Sequence, residues 1–297
     1  MPFHPPTHNE ASVTSGVERD PVRRMARLST GTVDIHPEHA YGSPTPTYWW
    51  ILTSNDWLTQ LPINVYVVEH RDGLVVFDTG QDRASVTDPN YFPSGPLGVV
   101  YHRLARFNIE PDQTLPAQLR RIGYDPADVD YAVVSHLHQD HIGGLGDLPN
   151  ARIVVAPNEH RTLSSRFAEA NGVLRRHLDF PDHRWMPVPF EPIQGVPGFE
   201  QGYDLFGDHS MMLLPTPGHT PGSLSMLVNR QDAGPALLVG DVTYNAKRML
   251  THGTLPGVGN RTHLTQTTDR IRTLHQAQAE LSILAAHDPD TTKRIIR

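Results

Sequence analysis

The sequence predicts an α/β fold, and three observations carry that prediction. Short runs rich in Val, Leu and Ile recur at strand length, each bounded by Gly, Pro, Asp or Asn. A few longer segments carry helical spacing instead. Several strand-like runs also end on an Asp or a His. Val75-Val-Phe77 runs into Asp78, Ala132-Val-Val134 into His136, and Leu213-Leu214 through a Pro-Thr-Pro-Gly turn into His219. Leu237-Leu-Val239 runs into Gly240-Asp241, and Ile283-Leu-Ala-Ala286 into His287-Asp288. A buried strand ending in a polar residue places that group at the rim of a sheet, where several such ends can meet on rigid elements.

Taken in order, residues 1–25 are polar, Pro-containing and aperiodic, and read as an extended arm ahead of a single domain over 26–297. Strands are predicted over 64–68, 74–77, 131–134, 152–155, 211–214, 224–228, 236–239 and 281–285. Helices are predicted over 113–122, with Gly123 just past its end, and over 157–170 and 262–279. Residues 81–112 read as an enlarged connection rich in apolar side chains, among them Tyr91, Phe92, Leu97, Val100 and Tyr101. Such a segment is a pocket wall, a subunit contact that would serve a homodimer, or core. Tyr48-Trp49-Trp50 and Trp57 pose the same choice. There is no internal repeat and no low-complexity segment.

Composition excludes several classes. The net charge of −7 disfavours nucleic acid or an anionic membrane as a partner, since both call for a basic face. With no cysteine in the chain, disulfides, thiolate metal sites and a cysteine nucleophile are excluded, so any transition-metal site must use His, Asp or Glu. The N-terminus lacks the basic-then-apolar pattern of a secretory signal, and no apolar run approaches membrane-spanning length; the expectation is a cytoplasmic protein.

The densest chemistry lies in His136-Leu-His138-Gln-Asp140-His141, followed by Gly143-Gly144. In extended chain, alternate side chains share a side, so His136 and His138 point the same way and can chelate one divalent ion. The adjacent Asp140 and His141 can hold a second. The remaining histidines, such as His102, His160 and His275, read as ordinary surface or packing residues.

Asp78-Thr-Gly80, the His136–His141 cluster, Thr216-Pro-Gly-His219, Gly240-Asp241 and Ala286-His287-Asp288 resemble, in this order, the successive motifs of the metallo-β-lactamase fold. The resemblance implies a four-layer αββα sandwich of two mixed β-sheets with a two-metal site at one edge. It implies that His136, His138 and His219 bind one metal, that Asp140, His141 and His287 bind the other, and that Asp241 bridges them. Asp78 would orient ligands from behind. Two divalent ions are thus implied, zinc foremost, with iron, cobalt and manganese also suited to such donors. Metals about 3.5–4 Å apart can share a water and make it a bridging hydroxide nucleophile near neutral pH.

The residues just after Asp241 point to a branch of the fold. Zinc β-lactamases with a Cys ligand are excluded, and nuclease members act on polyanions. Asp241-Val-Thr-Tyr244 resembles the N-acyl homoserine lactonases, the quorum-quenching branch. Leu61-Pro-Ile-Asn-Val-Tyr66, Arg121-Ile-Gly-Tyr-Asp-Pro126 and Thr216-Pro-Gly-His-Thr-Pro-Gly222 share that likeness. The family resemblance implies a small-molecule lactone substrate opened by hydroxide attack. Tyr244 would hydrogen-bond the substrate oxygen and Asp140 would protonate the leaving alkoxide. Gln139 departs from the apolar aromatic that these lactonases often place there, which makes it a substrate-binding candidate. The alternatives are a hydrolase for another lactone, a thioesterase of the glyoxalase II type, and a metal-binding protein without turnover.

Overall fold

Two β-sheets face each other across the centre of the molecule. The computed structural model describes residues 20–231 and 233–293, so the expected arm lies, up to residue 19, outside the described residues. The first sheet holds β1 (Val22–Ile35), β2 (Leu58–His70), β3 (Gly73–Phe77), β4 (Ala105–Asn108), β5 (Tyr131–Val133), β6 (Arg152–Val155) and β7 (Trp185–Pro187), in spatial order β4-β1-β2-β3-β5-β6-β7. The second holds β8 (Glu191–Pro192), β9 (Gln201–Asp204), β10 (Met211–Pro215), β11 (Leu224–Val228), β12 (Ala236–Leu238) and β13 (Ser282–Leu284), in order β13-β12-β11-β10-β9-β8. Both are mixed: β3, β5, β6 and β7 run parallel, as do β12 and β13, and the other pairs are antiparallel.

The strands show why the layers stack. Side chains alternate across a strand, and here both faces are apolar. Tyr66, Val68, Val75, Phe77, Val133 and Val154 pack from the first sheet against Leu213, Met226, Leu238 and Leu284 of the second. The opposite face of the first sheet, with Val65, Val67, Val76, Ala132 and Ile153, packs on Leu115 and Leu119 of helix Leu115–Arg121. The opposite face of the second sheet, with Met212, Leu214, Leu227 and Leu237, packs on Met249 of helix Ala246–His252 and on Ile271 and Leu274 of helix Arg261–Ala277. Helix, sheet, sheet and helix make four layers, the αββα sandwich. Phe77 is fully buried in the central layer, and its truncation to Ala would cost about 3–5 kcal/mol.

The eight predicted strands are all present, seven to within a residue at each end, while 64–68 is the centre of the longer β2, which starts six residues earlier; the helices predicted over 113–122 and 262–279 appear as Leu115–Arg121 and Arg261–Ala277. Three expectations are corrected. β1, fourteen residues long, begins at Val22 inside the span read as arm; its register breaks between Val22 and Arg24, Ser29 and Thr32, and Val33 and Ile35. These irregularities scramble its period-2 pattern. The 157–170 helix is only Pro157–His160, followed by a 3-10 turn at Arg161–Ser164. There the Thr162 hydroxyl donates to the Glu159 carbonyl and the Ser165 hydroxyl accepts from the Phe167 amide, local bonds that compete with helix. The 81–112 connection is ordered into helices Ala84–Thr87 and Gly95–Leu104 and strand β4. Among the described residues, no helix is long and apolar enough to cross a membrane.

Candidate active site

The polar strand ends converge. Asp78 follows β3, His136 follows β5, Asp241 follows β12 and His287 follows β13, while His219 sits in the turn joining β10 to β11. His138 precedes the one-turn helix Gln139–Ile142 that carries Asp140 and His141. Three ligand groups result, each with donor atoms within 4.8 Å of one another: His136, His138 and His219; His136, His141 and Asp241; Asp140, His141 and His287. All seven of the candidate ligands are therefore brought to one place.

Hydrogen bonds around the cluster set the tautomers. Asp78 adopts a left-handed backbone, φ 58°, unusual for a residue with a Cβ. Its carboxylate accepts from the Ser135 amide at 2.7 Å, the Ser135 hydroxyl at 3.0 Å and His141 Nδ1 at 2.8 Å. The Ser135 hydroxyl proton is spent on Asp78, so its oxygen, 3.0 Å from His136 Nδ1, accepts the proton there. His287 Nδ1 donates to the Pro62 carbonyl at 2.9 Å, and His138 Nε2 donates to the Asn171 carbonyl at 3.1 Å. Four imidazoles thus carry a proton on the outward nitrogen and turn the other nitrogen inward, where a cation can reach it. Such outer partners fix ring orientation and raise ligand basicity. The remaining pair, His219 Nε2 and His138 Nδ1, lie 2.9 Å apart.

Three of the inward atoms lack hydrogen-bond partners. His136 Nε2, His141 Nε2 and Asp241 Oδ1 are buried with no hydrogen bond. Each such orphan costs about 1–3 kcal/mol, a penalty a cation removes from all three at once. The electrostatics point the same way. Burial pushes Asp241 and Asp140 up, but the imidazoles of His141 and His287 override it and hold both carboxylates below their ordinary range. Burial and neighbouring imidazoles keep His136 low, and burial with His138 keeps His219 low despite the pull of Asp241. Against burial, Asp78, Asp241 and Asp140 hold His141 high, and Asp241 with Asp140 hold His287 high. Ionised carboxylates beside imidazoles in one buried cluster fit a divalent cation, which takes the place of the protons the carboxylates hold on His141 and His287, and the fold together with these groups implies divalent metal use.

The cluster forms the floor of a cavity of about 620 Å³ whose walls are mainly apolar. Ile35, Ile51, Val100, Leu104, Phe107 and Val173 contribute, so the 81–112 segment is in part a pocket wall. It is also core: Tyr91 and Tyr101 pack on Leu174. Trp50 is buried, whereas Tyr48 and Trp49 are exposed. Tyr244 is buried on the cavity floor, its hydroxyl donating to Asp241 Oδ2 at 2.7 Å and its ring stacked on His287. Burial and Asp241 push its phenol well above the ordinary tyrosine range, so it keeps its proton. Gln139 lines the cavity and is itself buried, with Oε1 unpaired.

Sequence reasoning passed over three residues of this site. Glu159, fully buried, accepts from the Leu137 amide, the Thr220 hydroxyl and the Gly222 amide, tying the loops of His138 and His219 together. Its position four residues beyond Val155, the end of β6, was the available signal. Gly172, at φ 86°, presses on His138: a Cβ there would lie 2.6 Å from the ring. His39, grouped with the ordinary histidines, lines the cavity and lies 3.0 Å from the Tyr244 hydroxyl; no local pattern marks it.

A His- and Asp-lined cluster at the strand ends of a four-layer sandwich defines a metal-dependent hydrolase. The chain belongs to the metallo-beta-lactamase superfamily, whose model matches residues 58–287. It is 30% identical over 238 residues to N-acyl homoserine lactonase AttM of Rhizobium radiobacter, an alignment covering 78% of this chain and 83% of the relative. AttM of Agrobacterium fabrum is equally similar, at 30% with the same coverage. Among solved structures, an N-acyl homoserine lactone hydrolase with N-hexanoyl-L-homoserine bound at its catalytic metal centre superposes with a TM-score of 0.73 at 22% identity, covering 93% of this chain and 97% of that one. AidC, a dizinc quorum-quenching lactonase, superposes with a TM-score of 0.62 at 16% identity, covering 91% of each chain. At these identities the structural likeness speaks for the fold.

Proposed function

We propose that the chain opens the lactone ring of N-acyl homoserine lactones by adding water to the ester carbonyl, using two divalent cations, zinc foremost. The observation that carries this reading is Tyr244, whose protonated hydroxyl stands 2.7 Å from Asp241 on the floor of an apolar cavity. His136, His138 and His219 would hold one ion, Asp140, His141 and His287 the other, and Asp241 would lie between them. When bound, such a pair supplies a shared water activated near neutral pH and an electrophilic face for the carbonyl oxygen.

The chain's own residues supply the rest. Tyr244 donates its O–H to the substrate carbonyl oxygen and gains strength as negative charge builds there. Asp140 takes the proton released by the water and returns it to the ring oxygen as the C–O bond breaks. Gln139 gives the substrate a polar partner in a mostly apolar wall, and that wall suits the acyl tail. The named lactonase relatives support the substrate class.

Ring opening at neutral pH releases a proton, so pH-stat turnover is the direct test. Metal-loaded protein would be assayed against short- and long-chain acyl homoserine lactones, a simple γ-lactone and a glutathione thioester. Proton release from the acyl homoserine lactones, at two metals per chain by elemental analysis, is the expected result. No release at that loading sinks the reading, and turnover of the thioester alone reassigns the reaction. Tyr244→Phe is expected to lower kcat by about 10²-fold with metal content intact.

A further inference from the structure

His39 stands apart from the strand-end residues. It sits on helix Pro37–Tyr41, is buried, and joins the cavity lining. Its Nε2 lies 3.0 Å from the Tyr244 phenol oxygen, with the two rings edge to face. Proton bookkeeping settles the direction of that bond. The phenol has one proton and gives it to Asp241 Oδ2 at 2.7 Å. Its oxygen can therefore only accept from His39, which must carry a proton on Nε2. Burial pushes the His39 ring down to about 4, so it is neutral with that single N–H. Nδ1 is then a bare acceptor, and it is buried without a partner.

The helix that carries His39 is held in place. The His39 carbonyl accepts the Gly257 amide at 2.8 Å, and the Glu38 carboxylate accepts the Ser54 hydroxyl at 3.2 Å. A Cβ on Gly257 would lie 2.0 Å from the Glu38 carbonyl oxygen, so this contact requires glycine. Three residues on, the Asn260 amide donates to the Gly218 carbonyl, beside His219. One loop thus clamps the helix of His39 and the turn of a candidate ligand.

We propose that His39 is a positioning residue for Tyr244, holding the phenol oxygen by its Nε2–H so that the phenol proton is aimed at Asp241 and, once Asp241 is engaged by a cation, at a substrate oxygen. The inference rests on the reading of Tyr244 as donor to the substrate. Two fixed partners leave the phenol one direction for its proton, and a bond accepted at its oxygen makes its O–H a stronger donor.

Two measurements test this, one independent of any substrate. Imidazole ¹⁵N NMR of the metal-loaded protein is expected to show His39 as the neutral Nε2–H tautomer at pH 7. An Nδ1–H tautomer or a protonated ring overturns the proposal, whatever the reaction proves to be. The second is a double-mutant cycle on the best lactone of the panel. His39→Leu is expected to lower kcat about tenfold with KM and metal content little changed. His39→Gln, which places an amide N–H where Nε2–H stood, is expected to recover most of that loss. In a Tyr244→Phe background His39→Leu should cost less than about twofold more, because its partner is gone. Additive losses, or a Gln variant as poor as the Leu variant, overturn it. Failure of every lactone against wild-type protein instead overturns the lactonase reading and leaves the tautomer test standing.

Discussion

On the floor of the cavity, four of the five clustered imidazoles have their outward nitrogen tied to a carbonyl, a carboxylate or a hydroxyl. The wall differs. Ile35, Ile51, Val100, Leu104 and Phe107 face the cavity as apolar side chains, from a bulged strand, two short helices and an edge strand. The floor is a polar network in which most ring nitrogens are held in direction by an outer partner, and the wall is an apolar surface in which volume matters and direction does not. Such a division lets the two be altered separately: removing a floor partner strips directionality, and reshaping the wall changes what fits.

The largest expected effect comes from breaking the floor at its centre. Asp241→Asn replaces a carboxylate facing His141, His219 and His287 with a neutral amide. Loss of several kcal/mol of metal-assisted stabilisation corresponds to a fall on the order of 10³-fold in kcat/KM. Elemental analysis should show metal depletion alongside it. Asp78→Asn is gentler. It keeps an acceptor for the Ser135 amide but not for His141 Nδ1–H, and a metal affinity about 10–100-fold weaker, read by chelator competition, is expected. If affinity is unchanged, the outer hydrogen bonds do not govern the floor. Val100→Trp sharpens the contrast from the other side. It should cut kcat/KM for long-chain lactones about tenfold, through KM, and spare short-chain ones and metal content. A matching fall for both lengths would mean that the wall acts on the floor.

The smallest effect concerns protons. The carboxylates hold His141 and His287 above the ordinary histidine range in the metal-free protein. A raised pKa means these rings are protonated below it and neutral above it. Divalent metal needs them neutral, so its binding must displace protons, and more of them as the starting pH is lowered. Metal titration in weakly buffered solution, followed by calorimetry in buffers of different ionisation enthalpy, should show that trend, with affinity falling as pH drops.

The floor could be read from sequence because its chemistry is local. His136 to His141 lie within one strand-to-helix turn, and Asp78, Asp241 and His287 each directly follow or lie within a few residues of an apolar run. The wall could not. Its residues come from positions 35 to 259, on elements distant in sequence, one of which, β1, is interrupted by bulges. His39 illustrates the limit: in Pro37-Glu-His-Ala40 nothing marks it, and its partner lies 205 residues away. The helix predicted over 157–170 failed because Ser and Thr side chains there bond to nearby backbone, a competition that apolar spacing does not register.

Floor and wall do touch at one point. The Asn171 carbonyl receives His138 Nε2–H, and the next residue, Gly172, leaves no room for a Cβ against the same ring, while both residues line the cavity. A lineage that reshapes this strip to admit a bulkier tail therefore also alters the basicity and tilt of a candidate ligand. Changes to the cavity wall and to the setting of a candidate ligand are coupled there, and directed evolution that reshapes this strip should gather compensating changes around His138 before anywhere else on the floor.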